Sequence, residues 1–510
     1  MSLIEKSLSE KRPSLANPAL WVAFILFIIL SCIGMMNHER WGDEIHAWNI
    51  AKGSQSFSDL INNTRYEGHP PLWYIILWSI SKFTHDLDYV QVIHLTITIL
   101  TVFILLFFSP LPKVAKMLIP FGYFFLYEYT VISRNYGIAA LLAVCICLII
   151  RKDFRYKLVL YYTLLFLLCT THLLGILLAA SLHLYFILFI KEMKATKKLL
   201  ILHALIGVLI ALPSLYFIFP PSDSELGTQF WMNRWSTSKL SAFIQTPILA
   251  VIPIPAWWNY NSWNTQFLIE AKNMYSVFRF VNLIAAIFIL LIIFSVLKGN
   301  RKTLILFFTN LLLSFIVSVV SITLTAERHA GFLFIAFIVS YWLYCYEMSV
   351  TTRMKWIVNV LLIIQLAGGI FAVVKDIRYS FSNSYKIAEL LKQVPADEKL
   401  VTDYWGLNTI SAFLDRPAYC IDIQKEVSFI KWDKDLREMI EKKYRYYDGI
   451  SDYFQKGKIN SVYMLSTGSP ATLSQDDPQL SKSYHVVLVN KIEGAIEKYS
   501  NLYLYRINKQ

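Results

Sequence analysis

Apolar runs recur along the first three quarters of the chain with short polar punctuation between them, among them Trp21 to Met36, Val102 to Phe108, Phe280 to Leu297, Thr303 to Thr325 and Gly331 to Tyr346. Several approach the ~20 residues that an α-helix needs to cross a bilayer. One or two such runs would be anchors; this many make a bundle. The pattern predicts eleven spans, near 18 to 36, 89 to 109, 114 to 131, 135 to 150, 157 to 170, 173 to 190, 199 to 219, 276 to 297, 303 to 325, 330 to 348 and 355 to 374. The run Pro71 to Phe83 is apolar and aromatic but too short to cross, and reads as an interfacial or re-entrant helix opened by Pro70-Pro71. The segment 220 to 275 is broken by prolines and rich in Trp, including Trp231, Trp235, Trp257, Trp258 and Trp263, as an external interfacial loop would be.

From Tyr379 to Gln510 the pattern becomes that of a water-soluble domain. Lys399 to Trp405, Ser461 to Leu465, His485 to Val489 and Leu502 to Arg506 read as short strands, and Tyr385 to Leu391 and Asp433 to Tyr444 as helices. The expected architecture is an α-helical polytopic membrane protein with a C-terminal extracytoplasmic α/β domain. Its parts are a cytoplasmic tail 1–17, a membrane domain 18–378 with external loops at 37–88 and 220–275, and the outer domain 379–510.

Charge fixes the orientation. Lys113/Lys116, Arg151/Lys152/Arg155/Lys157, Lys191/Lys194/Lys197/Lys198, Lys298/Arg301/Lys302 and Arg353/Lys355 fall between apolar runs where cytoplasmic loops belong. The turns Ser133-Arg134-Asn135, Thr170-Thr171-His172 and Glu327-Arg328-His329 then face outside, with the N-terminus inside and the C-terminal domain outside. Composition agrees: 56% of residues are apolar and only 16% charged. The net charge of +13 punctuates the spans instead of forming one patch, which argues against nucleic acid as a partner. Five of the six cysteines lie in apolar runs and only Cys420 in the polar tail, so neither a disulfide framework nor zinc spacing is visible. Lys6, Lys11 and Arg12 precede the first run and no small-residue cleavage site follows it, which reads as a retained signal anchor in a bacterial cytoplasmic membrane.

The densest polar set lies in loop 37–88: His38, Glu39, Arg40, Asp43, Glu44, His46, Tyr66, Glu67 and His69. Paired acids just after a span suit a general base at the membrane surface, and they equally suit the first turn of a helix. Arg134, Arg328 and His329 stand at external span ends, where they are candidates for an anionic substrate group, against the plainer reading of arginines snorkelling to the interface. His46, His69 and His172 with Asp43, Glu44 and Glu67 mix imidazole and carboxylate as zinc or manganese sites do, but the spacing matches no metal signature. Hydrogen-bonding roles are expected for these histidines, with a divalent metal at Asp43, Glu44 and His172 left open and no other cofactor implied.

The Asp43-Glu44 pair after the first span, the motif EGHPPLWY over Glu67 to Tyr74 and the motif SRNYGIA over Ser133 to Ala139 together resemble the GT-C glycosyltransferases. Within these the chain is similar to the branch of the protein O-mannosyltransferases and the bacterial aminoarabinose transferase of lipid A. The resemblance covers roughly the first 220 residues by motif and the rest in architecture. It implies a polyprenyl-phosphate-linked sugar donor, a general base at Asp43 with Glu44 beside it, and inversion at the anomeric carbon. The leaving phosphate of such a donor needs positive charge, and by their external positions Arg134 and Arg328 are the choices, with His329, Glu67, His69, His46 and His172 as further donor-phosphate or substrate candidates. The acceptor is a hydroxyl of a protein, a lipid-anchored glycan or an envelope polymer. A polytopic lipid or glycan flippase is the alternative, predicting charges at the bilayer midplane and repeated halves, neither of which is seen. A non-catalytic scaffold is the third.

Overall fold

The computed structural model describes residues 14–225, 237–275, 277–320, 326–395, 398–442, 445–457, 459–498 and 500–510. The basic tail with Lys6, Lys11 and Arg12, and also Trp231 and Trp235, lie outside the described residues. The chain folds as two compact units.

The first unit gathers residues up to 36, from 91 to 218 and from 229 to 375. Eight helices of the described residues are long and apolar enough to cross a membrane: Pro18–Asn37, Asp88–Phe108, Leu173–Glu192, Lys197–Ile218, Phe278–Leu297, Arg301–Val320, Glu327–Glu347 and Thr352–Arg378. These match eight expected spans, and the protein is a multi-pass membrane protein. Two further expected spans are short helices, Asn135–Ile149 and Lys157–Cys169. The expected span 114 to 131 is broken instead. It runs as an α-turn Lys113–Leu118, a 3-10 turn Ile119–Phe121 and a π-turn Phe124–Glu128. Pro120 lacks the N–H that would continue the helix, and Gly122 is extended, so apolar content alone overstated this element. Within 220 to 275 the helix Thr237–Val251 packs against Phe278–Leu297 and Glu327–Glu347.

Glu327–Glu347 is the core of this unit. It is apolar on every side, and from Ala330 to Cys345 each residue is buried, as expected of a helix enclosed by others. Gly331 allows the π-turn to press against it, since a Cβ there would lie 2.2 Å from the Tyr129 hydroxyl and 2.5 Å from the Phe124 ring. At the far end of this helix Glu347 pairs with Arg151 at 3.0 Å and Lys302 at 2.8 Å, drawing two basic loops to one end. By contrast, Lys197–Ile218 leaves Ile201, Leu205, Val208 and Leu209 exposed, and Phe278–Leu297 leaves Phe280, Ile284, Phe288 and Leu291 exposed. An apolar surface of that extent is satisfied by lipid, not by water.

The second unit joins residues 37–90, 219–228 and 376–510. Its sheet has six strands: β1 Leu400–Thr402, β2 Ala418–Cys420, β3 Lys425–Val427, β4 Ser461–Ser466, β5 Tyr484–Ile492 and β6 Leu502–Lys509. The order is β3-β2-β1-β4-β6-β5, with β1 parallel to β2 and β4, and antiparallel pairs at both edges. Alternate residues feed opposite faces. Leu400 packs with Leu407, Ile410, Leu436 and Leu504 on one side, while Val401 packs with Ile450, Phe454, Met464 and Ile507 on the other. The expected strand at Lys399 to Trp405 is shorter because Asp403 ends it, capping the helix Tyr404–Phe413 through the Gly406 N–H at 2.9 Å. The helices Gly42–Gly53, Phe57–Thr64 and Leu72–Ser81 belong to the same unit. Gly42–Gly53 packs on Tyr404–Phe413, with Asn49 donating to the Asn408 carbonyl at 3.0 Å and Lys52 to the Ser411 carbonyl at 3.0 Å.

Candidate active site

In the second unit the WGDEIHAW segment caps and opens the helix Gly42–Gly53, which puts Asp43 and Glu44 in its first turn, at the positive end of the helix. Their environments differ. Glu44 is buried, accepts the Trp41 N–H at 3.1 Å and accepts from His38 Nε2 at 3.1 Å. His38 Nδ1 donates to Asp376 at 2.7 Å. Burial would depress the His38 pKa, but the Asp376 and Glu44 carboxylates outweigh it and raise it to about 10. His38 is therefore an imidazolium clamped between two acids, and Glu44 is the cap and anchor of its helix.

Asp43 is half-buried and lies on the face that carries His46, three residues on. His46 Nε2 donates to Glu67 at 3.1 Å. Burial lowers the His46 pKa, yet Glu67 and then Asp43 raise it further, so the net shift is upward. Glu67 ends the 3-10 turn Arg65–Glu67, and the chain reverses through Gly68 at φ +66, a left-handed conformation that favours glycine. His69 follows, half-buried, before the two prolines that open Leu72–Ser81. The Tyr404 hydroxyl is pushed up by burial and by Glu67 and Asp43, which places it among these groups. Asp43, His46, Glu67 and Tyr404 thus form one cluster, with Asn408 on His46.

In the first unit three helix starts converge. Arg134 is the N-cap of Asn135–Ile149, His172 of Leu173–Glu192 and Ala326 of Glu327–Glu347. Asn135 donates to the Thr171 carbonyl at 2.9 Å, and the His172 ring lies 5.8 Å from His329 and 5.2 Å from Tyr136. His172 Nδ1 accepts the Leu174 N–H at 3.1 Å, which leaves Nε2 to carry the proton of the neutral ring. The Arg328 guanidinium sits 5.7 Å over the Trp263 ring, whose Nε1 donates to buried Glu128 at 3.1 Å. Three N-termini, Arg134, Arg328 and two imidazoles thus stand with the buried carboxylates Glu128 and Glu327, a mixed set in which the cations are the groups suited to an anion. Among the described residues no group of three or more His, Cys, Asp or Glu is arranged to hold a metal ion.

No family model matches the chain, and no curated protein matches it by sequence. Among solved structures it is similar to ArnT from Cupriavidus metallidurans bound to undecaprenyl phosphate, with a TM-score of 0.52 and 11% identity over 95% of this chain and 98% of that one. The same enzyme in its apo state gives 0.47 at 13% identity, over 95% of this chain and 97% of that one. The chain has the GT-C fold. The GT-C resemblance read from the Asp43-Glu44 pair, EGHPPLWY and SRNYGIA is thereby met at the level of fold.

Sequence reasoning singled out Asp43, His46, Glu67, His172, Arg328 and His329, but it gave Glu44 no separate role and passed over Tyr404 and Asn408. The His46–Glu67 contact spans 21 residues and Tyr404 lies far along the chain, so no local pattern announces either. The available signal was Asp403 followed by an aromatic pair, a capped helix start inside what read as a strand.

Proposed function

We propose that the protein is an inverting glycosyltransferase that moves a sugar from a polyprenyl-phosphate donor to a hydroxyl of a cell-envelope acceptor on the outer face of a bacterial cytoplasmic membrane. The observation that carries this reading is the division of labour between the paired acids. Glu44 is committed to its helix and to His38, while Asp43 is half-exposed beside the His46–Glu67 pair. The similar ArnT structure was solved with undecaprenyl phosphate, and a lipid-linked sugar phosphate suits the basic convergence of Arg134, Arg328, His172 and His329.

Asp43 takes the acceptor hydroxyl proton as its oxygen attacks the anomeric carbon. The anomeric C–O bond to phosphate breaks, its electron pair leaves with the polyprenyl phosphate, and the configuration inverts. The charge developing on the leaving phosphate calls for cationic or N–H donors. His46, hydrogen-bonded to Glu67, orients the face on which Asp43 lies.

Transfer of radiolabelled sugar from polyprenyl-phosphate donors to endogenous acceptor, in membranes with matched expression, tests this. Asp43→Asn is expected to lose on the order of 10²- to 10⁴-fold. Glu44→Gln is expected to lose thermal stability and to retain turnover per folded molecule. No transfer by wild type from any polyprenyl donor, or full activity in Asp43→Asn, overturns the assignment and returns the weight to a transporter or scaffold.

A further inference from the structure

The Asp43 cluster continues into aromatic surface. Tyr404 meets Trp405 with ring centres 4.9 Å apart and Trp432 at 5.6 Å, both edge-on. Trp405 is 51% exposed, and Tyr404 and Trp432 are partly exposed. The strip then turns back to the first loop. Glu225 N–H donates to the Trp432 carbonyl at 3.0 Å, the Tyr66 hydroxyl donates to Asp223 at 3.2 Å, and the Lys431 ammonium lies 4.2 Å from the Tyr66 ring centre. Tyr66 adjoins Glu67, which returns the strip to His46 and Asp43.

This surface alternates aromatic faces with Asp43, Asp223 and Lys431, and Glu67 lies beneath it against His46. A patch made to enter a membrane would lack such interleaved acids, which are costly beside hydrocarbon. A sugar matches both features, since its C–H faces stack on aromatic rings and its hydroxyls donate to carboxylates and accept from an ammonium. We infer that Trp405, Trp432, Tyr404 and Tyr66, with Asp223 and Lys431, form the acceptor subsite of the Asp43 centre, and that the acceptor it takes is a neutral sugar ring of a glycan. The inference rests on the glycosyltransferase reading and narrows the acceptor to carbohydrate.

Binding is measured on the full chain in nanodiscs by saturation-transfer NMR with chitotriose and maltotriose, alongside transfer to the same sugars. Wild type is expected to bind at least one of them. Trp405→Ala and Trp432→Phe are expected to weaken binding by about five- to ten-fold, the scale of one aromatic contact. Trp257→Ala, an exposed indole in the other unit, serves as a control and is expected to bind as wild type does. Melting curves for each variant separate lost binding from lost fold. Absence of binding to either sugar, or equal binding by wild type, Trp405→Ala and Trp432→Phe, overturns the subsite. Sugar binding that depends on Trp405 in a protein that transfers nothing would leave a carbohydrate site there but overturn its acceptor role along with the transferase reading, whereas transfer without Trp405-dependent binding would overturn the subsite alone.

Discussion

His38 carries more of the second unit than its sequence context suggests, because it is completely buried between Glu44 and Asp376. His38→Ala would leave two buried carboxylates without their cation, a loss of roughly 3–5 kcal/mol by the usual cost of breaking a buried pair. The pH dependence has a definite sign. The folded-state pKa of about 10 stands above the ordinary 6.5, so the stabilisation is complete below 6.5 and drains away as pH rises toward 10. The melting temperature of wild type should fall across that window, and His38→Gln should flatten the fall. At this scale the acids were legible as candidates but their roles were not. Adjacent positions on a helix differ by about 100°, so Asp43 and Glu44 enter different surroundings.

Elements whose signal is length and apolar content were readable, and those whose signal is geometry were not. The eight long helices follow from uninterrupted runs, whereas the π-turn Phe124–Glu128 and the three-residue strands β2 and β3 are fixed by neighbours rather than by their own sequence. The helix Tyr404–Phe413 is held at its start by two acids. Asp403 caps it and also accepts from Ser466 at 2.8 Å and the Thr467 N–H at 2.7 Å, and Asp422 accepts the Tyr404 N–H at 2.6 Å. Burial, and then the neighbouring Asp403, push Asp422 up to about 7, although the Tyr404 N–H pulls the other way. Because this pKa is raised, the contribution of Asp422 is fully present below 3.8 and is lost as pH climbs through about 7. Asp422→Asn keeps an acceptor and removes the charge, so it should raise the melting temperature at pH 8 and leave it nearly unchanged at pH 4.

Over the whole molecule the sequence conveyed the order of parts, a helical membrane region followed by a small α/β domain, because hydropathy changes sharply near residue 379. It did not convey that residues 37–90 fold with 376–510, since long-range packing leaves no periodicity. Close packing makes its own prediction in the first unit. At Gly331 any side chain meets Tyr129 and Phe124, so Gly331→Val should sharply reduce the yield of monodisperse protein on size-exclusion chromatography. The same substitution at Gly42, where a Cβ meets nothing within 4 Å, should be tolerated far better.

The contact between His38 and Asp376 closes a span of 338 residues, and that separation has a meaning in time. At synthesis rates of about 5–20 residues per second, His38 and the helix bearing Asp43 wait roughly twenty seconds to a minute before Asp376 and the six-stranded sheet exist to receive them. During biogenesis the chain thus carries an unfinished loop with unmatched charge through the insertion of nearly every membrane helix. A ribosome that stops short of the last strand would release a protein for quality control to remove, however well its bundle had assembled.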